Sequence, residues 1–253
     1  MGIRDERERI DVRPWYTYDI SNEATLGFRL QYTDVSYEEK LAGLLNDYTN
    51  LRGNIDFSRQ WSQRNTVLFG VTYRTYEAEG SDAVSGYGVS GGIERLLSEK
   101  STLRIVAGLE NTETADGESE VDPVGEITLL RQLETTRLLA QYRHVVSGGG
   151  SGNLSTRHII NINFTRDLTE RVSAGLGVRA YSSKTTQGQA ITLDERDYVQ
   201  LRATFVWNFT ETFAFEGNYR YTVMDRELLG ESANSNNITF WFNWRPNGFS
   251  SSQ

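Results

Sequence analysis

The segment Phe213-Ala214-Phe215-Glu216-Gly217-Asn218-Tyr219-Arg220-Tyr221-Thr222-Val223 decides the fold class. Its odd positions are aromatic or aliphatic, apart from Gly217. Its even positions are small, polar or charged. A period of two is the strand period, because successive side chains point to opposite faces of a sheet. One face of this strand suits hydrocarbon and the other suits water.

The same alternation recurs along the chain. Ile10, Val12, Pro14, Tyr16, Tyr18 and Ile20 share a face in a first strand over 9–20, followed by Leu26, Phe28, Leu30 and Tyr32. Leu51, Ile55, Phe57 and Trp61 precede Val67, Phe69, Val71 and Tyr73. Tyr87, Val89 and Ile93 precede Leu103, Ile105, Ala107 and Leu109. A weaker pattern holds Ile127, Leu129, Leu138, Ala140 and Tyr142. Ile160, Ile162 and Phe164 come before Val172, Ala174, Leu176 and Val178. Val199 to Phe209 alternates in the same way, and Ile238, Phe240, Phe242 and Trp244 close the series, ended by Pro246.

Six short turns join these strands in pairs: Ser21–Ala24, Ser62–Asn65, Ser98–Ser101, Glu134–Thr136, Thr169–Arg171 and Thr210–Thr212. Each follows an apolar residue, namely Ile20, Trp61, Leu97, Leu133, Leu168 or Phe209. A supersecondary unit recurring at near-constant spacing marks a repetitive architecture. Longer polar connections separate the units, over 35–46, 79–84, 112–122, 147–153 and 182–195 and before the last strand. Short turns on one side and long loops on the other predict an all-β, antiparallel up-and-down transmembrane β-barrel over 9–246, with polar termini at 1–8 and 247–253. A soluble all-β fold is the alternative. The reading yields thirteen strands. Single-chain bacterial barrels have even numbers, so fourteen or more are expected of a complete barrel, with N-terminal strands absent from this chain. A miscount in 123–146 is the other explanation.

Composition narrows the function classes. The chain has 253 residues, no cysteine, 2 histidines, 3 prolines and a net charge of −8. Thiolate metal sites and disulfides are therefore excluded, and an acidic chain argues against nucleic acid as a partner. Mean hydropathy is −0.52. No run of about 18 apolar residues marks a membrane helix, but barrel strands alternate and escape that test. Met1-Gly2-Ile3-Arg4-Asp5 opens no signal peptide, since no apolar stretch follows the charge.

The tandem hairpins and their apolar–Ser/Thr turns resemble the outer-membrane β-barrel (porin-type) family, whose members are associated with exopolysaccharide production and export. The resemblance covers about 9–246 and rests on architecture. It implies a bacterial outer-membrane location, lipid as the surrounding partner, passive transport without a cofactor, and other barrel or secretion-system chains as candidate partners. The chain departs from the usual barrel ending, because Phe249 precedes four polar residues.

The water-facing side carries the chemistry. Arg13, Arg29, Arg52, Arg74, Arg104, Arg143, Arg179, Arg202, Arg220 and Arg245 fall on it. Arg13, Arg74, Arg143, Arg179, Arg202 and Arg220 lie at similar distances from their short turns, roughly 20 Å above them on tilted strands. They predict a channel lining that favours anions or acidic saccharides. The competing reading pairs them with lumen carboxylates such as Asp11, Asp19, Asp56, Glu110, Glu126 and Glu216, in a closed structural barrel that acts through its loops. Trp15, Tyr181 and Trp241 on the same face are candidates for stacking on sugar rings, or simply fill the lumen.

Trp61, Trp207, Phe209, Phe213 and Trp244 near the turns, with Tyr73, Tyr142, Tyr219 and Tyr221 higher up, predict two interfacial girdles. Gly86-Tyr87-Gly88-Val89-Ser90-Gly91 matches G-x-G-x-x-G but lies in a strand with no helix after it, which predicts a bend in the wall rather than a nucleotide site. The acidic stretch 113–122 is read as a solvated loop, with a divalent-cation site as the alternative. His144 and His158 belong to no nucleophile–base–orienter set, so no enzymatic activity is expected.

Overall fold

The computed structural model describes residues 7–37, 47–80, 83–114, 117, 119–148, 154–187, 196–226 and 231–244. These residues form one antiparallel sheet of fourteen strands. The strands are β1 (Arg7–Val12), β2 (Trp15–Ser21), β3 (Ala24–Tyr37), β4 (Tyr48–Ser62), β5 (Asn65–Ala78), β6 (Val84–Ser98), β7 (Ser101–Thr114), β8 (Ser119–Gln132), β9 (Thr136–Gly148), β10 (Leu154–Asp167), β11 (Val172–Gln187), β12 (Arg196–Asn208), β13 (Phe213–Arg226) and β14 (Glu231–Trp244). From β3 onward each strand pairs with the next in sequence, which is the up-and-down topology expected.

β1 and β2 both pair with β3. Val12 stands opposite Tyr32 and Trp15 opposite Arg29, so the register runs unbroken across Arg13 and Pro14. The strand expected over 9–20 is therefore one sheet position in two pieces. Proline has no N–H to give the ladder, although its carbonyl still accepts from Leu30 N at 3.0 Å. Fourteen strands thus fill thirteen positions. The sheet is open: among the described residues, β14 pairs with β13 alone and β1 and β2 with β3 alone.

The short turns share one local device. In five of the six the opening Ser or Thr hydroxyl accepts a backbone N–H two or three residues on. These are Ser21 from Glu23, Ser62 from Arg64, Ser98 from Lys100, Thr169 from Val172 and Thr210 from Phe213, at 2.9 to 3.4 Å. That is the geometry for which Ser and Thr are favoured at turns. At Ser21, Ser62 and Ser98 the register slips by one, which leaves Ile20, Trp61 and Leu97 as bulged residues facing outward. Each of the first five turns also accepts a bond from the next hairpin. Gln60 N reaches Glu23 O, Leu96 N reaches Arg64 O, Gln132 N reaches Lys100 O, Asp167 N reaches Thr135 O and Asn208 N reaches Arg171 O, at 2.7 to 2.8 Å. The repeat in the sequence is a hydrogen-bonded rim in the structure.

β3 to β14 have 13 to 16 residues each. Fourteen residues at ~3.3 Å each, tilted ~40°, rise about 35 Å, beyond an apolar band of about 25 Å. The strands therefore continue past their apolar alternation on the long-loop side. This corrects several predicted loops. Glu113, Glu120 and Asp122 stand on β7 and β8 rather than in a loop, with Thr112 opposite Glu120 and Glu113 opposite Ser119. β11 runs on to Gln187, and β14 begins at Glu231, well before the apolar run at Ile238. Asp116, Glu118, Arg245 and the polar termini at 1–6 and 245–253 lie outside the described residues.

The apolar face is the convex one, and it is bare. Ile55, Phe69, Val71, Val89, Leu109, Leu176, Ile238, Phe240 and Phe242 are all exposed there. Forty or so exposed large hydrophobics cannot face water on a stable soluble domain, and a hydrocarbon surrounding removes the conflict. Near the turns, Phe209, Phe213, Phe215, Phe240, Phe242 and Trp244 stack or meet edge-on at 5.4 to 6.3 Å. Towards the long-loop end the tyrosines carry polar partners: Tyr32 Oη donates to Asp34, Tyr219 Oη donates to Asn236, and Tyr142 Oη lies 2.8 Å from His158 Nδ1. Apolar ring and wet hydroxyl suit an interface.

Glycines sharpen the curvature between β6 and β7. A Cβ on Gly108 would stand 2.3 Å from Val89 O, and one on Gly92 would stand 2.4 Å from Ile105 O. Within the glycine-rich run itself the strands are also close: a Cβ on Gly86 would stand 3.1 Å from Asn111 O and one on Gly88 3.2 Å from Leu109 O.

The two faces can be told apart by one pair of substitutions. Leu201→Arg, on the convex face, is expected to cost about 2–4 kcal/mol in vesicles. Asn163→Arg, on the concave face, should cost well under half of that. Urea unfolding followed by tryptophan fluorescence reads both.

Candidate functional site: an arginine-rich concave face

The concave face is built from alternate residues of every strand, so the pairing register sets which charges meet. On one side of the sheet Arg29, Arg52 and Arg74 come together. Arg52 is directly opposite Arg74, and Arg29 lies diagonal to Arg52, opposite Asn54. On the other side Arg143, Arg179, Arg202 and Arg220 follow one another across β9 to β13. Arg202 is directly opposite Arg220. Arg179 is opposite Gln200 and Asn161, and Arg143 is opposite Ile159. Arg157, which sequence reading passed over, joins this arc on β10, diagonal to Arg143. Its signal was available: it shares the parity of Asn161 and Asn163, against Ile160 and Ile162.

Between the two arcs lies a carboxylate patch on β7 and β8. Glu110 is opposite Asp122, and Glu126 is opposite Arg143. Pairing thus gathers the arginines into two groups, with acids of β7 and β8 between them.

The arginines differ in what they do. Arg74 is 3% exposed and pairs with Glu110, also 3% exposed. Its Nη1 donates to the carbonyl of Val146 at 2.8 Å. β6 lies between β5 and β7, and Arg74 crosses it where β6 has no side chain. Gly86 stands opposite Arg74 and Gly88 opposite Glu110. Arg74 is thus a buried brace and not a solvent-facing lining residue. Arg13 also departs from expectation. It sits in the break between β1 and β2 and is held by its neighbour Asp11 at 2.7 Å, as is Arg9.

Arg52, Arg143, Arg157, Arg179, Arg202 and Arg220 form no ion pair among the described residues. On β9 to β13 no carboxylate shares their level on this face, and Glu216 lies four positions nearer the turns than Arg220. Nε of Arg143 and of Arg157 is buried without a hydrogen-bond partner. Like charges directly opposite each other destabilise a sheet. Arg202 and Arg220 accept that cost, and an anion between them would relieve it.

The aromatic candidates are not brought together. Trp15 is on β2 opposite Arg29, and Trp241 is on β14 opposite Glu216, at the two edges of the sheet. Tyr181 is in the middle of the arginine arc and stacks on Tyr198, centroids 5.1 Å apart. Tyr198 was not anticipated; it precedes the apolar run of β12. His144 and His158 are cross-strand neighbours, with their Nδ1 atoms 3.2 Å apart. Among the described residues no three acidic or histidine side chains are grouped to hold a metal ion.

Known structures were compared with this geometry. The copper transporter OprC superposes with a TM-score of 0.61 at 10% identity, over 95% of this chain and 50% of that one. The siderophore receptor PirA from Pseudomonas aeruginosa gives 0.60 at 11%, over 96% and 51%. The outer-membrane channel DcaP of Acinetobacter baumannii gives 0.56 at 8%, over 92% and 84%.

The fold is that of an outer-membrane β-barrel. The chain spans about half the length of the first two neighbours. By name these are a transporter, a receptor and a channel, and the expected outer-membrane location agrees with the shared fold. No protein-family model and no curated protein sequence matches the chain.

The brace has a specific energetic signature. Glu110→Gln leaves Arg74 buried without its counter-charge and is expected to cost about 3–5 kcal/mol. Replacing both partners, Arg74→Met with Glu110→Leu, should recover most of that loss. Equilibrium unfolding of the two variants beside the wild type in vesicles checks it.

Proposed function

We propose that this protein is an outer-membrane conduit that passes anionic or saccharide solutes passively. The observation that carries this reading is the arc Arg143, Arg157, Arg179, Arg202 and Arg220, which has no ion-paired carboxylate among the described residues. Guanidinium groups left without acids keep a positive potential along the wall. A cleft with one sign of charge between low-dielectric walls concentrates counter-ions. The planar fork of arginine matches carboxylate and phosphate oxygens in pairs. Tyr181 and Tyr198 present ring faces beside Arg179, a combination that suits an acidic sugar, which offers an apolar ring face and a carboxylate. An acidic exopolysaccharide is the polymer that this chemistry would guide. The acids on β7 and β8 border the arc at its β9 end, where Glu126 stands opposite Arg143, so a passing anion would be drawn towards β10 to β13.

A second reading has its own support. The long-loop end of the concave face is filled: Val35, Tyr76, Val146 and Ser155 are at most 1% exposed. A barrel closed there would act through its loops or with other barrel chains.

Conductance separates the two. In planar bilayers under a KCl gradient the wild-type chain should show an anion-selective reversal potential. The triple variant Arg179→Ala, Arg202→Ala, Arg220→Ala should move that potential towards zero by at least half. An unchanged anion preference removes the arc from the mechanism, and absence of stable conductance favours the closed barrel.

A further inference from the structure

The β9–β10 hairpin parts from β8 towards the long-loop end, while β10 stays paired to β11 as far as Leu154 opposite Gln187. The β8·β9 ladder stops at Gly125 opposite His144, while β7·β8 continues to Glu113 opposite Ser119 and β9·β10 to Gly148 opposite Leu154. The upper parts of the two hairpins are therefore unpaired with each other. Val146 has the parity of Ala140 and Tyr142, which belong to the convex, lipid-facing side. Yet Val146 is 1% exposed and packs in one cluster with Tyr76 and Ala78, which are concave residues of β5. Tyr48, Val84 and Val124, also concave, pack against that cluster.

Three polar contacts agree. The Val146 carbonyl receives Arg74 from β5. Arg74 is held in turn by Glu110 of β7. Thr156 stands opposite Val146 and shares its parity, and it bonds Asp122, a concave carboxylate of β8. A convex-side surface resting on the concave side of β5 to β8 has one geometric solution. Above His144 the hairpin, still paired to β11, bends inward over the concave side of β5 to β8.

We infer that residues Val145–Ser147 and Ser155–Thr156 form an inward strap that narrows the conduit at its long-loop end, latched by Arg74 and by the Tyr76–Ala78–Val146 cluster. The strap sets the size limit of the solute, whereas the arginine arc sets its charge. The inference rests on the conduit reading for its consequence, and on packing alone for its geometry. An unpaired strand edge keeps its N–H and C=O groups available to water, which fits a segment that lines a water-filled space. It also leaves β9 above His144 attached to the wall through β10 alone, so few contacts hold it.

The chain has no cysteine, which makes a paired-thiol test clean. In the full chain refolded into vesicles, Ala78→Cys with Val146→Cys should be joined by a short bis-thiol reagent without loss of the heat-modifiable folded band. Adding Arg74→Lys keeps the charge but loses the fork that spans Glu110 and Val146. In the uncross-linked state this variant should pass a neutral trisaccharide at least twofold faster than wild type by vesicle swelling, and cross-linking should return it to the wild-type rate. Val146→Ser carries the same expectation of faster passage where Arg74→Lys fails to refold.

Failure of the folded double-cysteine protein to cross-link overturns the strap. So does a trisaccharide rate that cross-linking leaves unchanged. A neutral sugar is blind to the arginine charge, so loss of anion selectivity with a preserved size effect counts against the arc and not against the strap. If no form passes any solute, the conduit reading and the size-limit role fall together, while the cross-link still reports on the docking itself.

Discussion

Every backbone N–H and C=O that crosses hydrocarbon must find a partner within the protein. That constraint governs this structure more than any side-chain contact. The ladder runs from β1 and β2 through β14 with each strand beside its sequence neighbour. The Ser/Thr turns carry it around the rim, and neighbouring turns bond one another through Glu23, Arg64, Lys100, Thr135 and Arg171. Once the ladder is in place, the period of two distributes the side chains without further choice. Phe240 and Leu176 go out, and Arg202 and Arg220 go in.

The inside then faces a different problem. Charges in a confined, partly dewatered space must be paired, solvated or used. The sheet solves this in two ways on its two parts. On β5 to β8 the solution is pairing: Arg74 meets Glu110 across glycines that leave β6 open for it, and Arg104 lies 3.9 Å from Glu94. On β9 to β13 arginines stand without acids, and two of them face each other. Pairing makes a wall rigid, while an unpaired arc makes it attractive to anions. The same residue type is therefore ion-paired in one place and left without an ion pair in the other, even where an acid stands opposite, as Glu126 does to Arg143.

Most of the wall was legible in the sequence because alternation survives translation into any register. The positions of Arg52, Arg143, Arg179, Arg202 and Arg220 on the concave face followed from parity alone. The break at Pro14 was not read, since the apolar residues on either side keep the same parity and conceal it. Strand ends were not read either, because beyond the apolar band nothing requires alternation: Glu113 and Glu120 look like loop residues and stand on a ladder. The brace was only half visible. Glu110 was recognisable as an interior acid, but its partnership with Arg74 depends on which glycines lie between them.

The sequence by itself determined the two faces, the short turns and the even spacing of the arginines, because strand period and turn chemistry are local. The tertiary structure decided which arginines are neutralised and where the interior narrows. Those outcomes depend on the open lane across β6 at Gly86 and Gly88, and on a hairpin that leaves β8 at His144. Val146 shows the reason: its parity assigns it to the lipid, and only long-range packing against Tyr76 and Ala78 brings it inside.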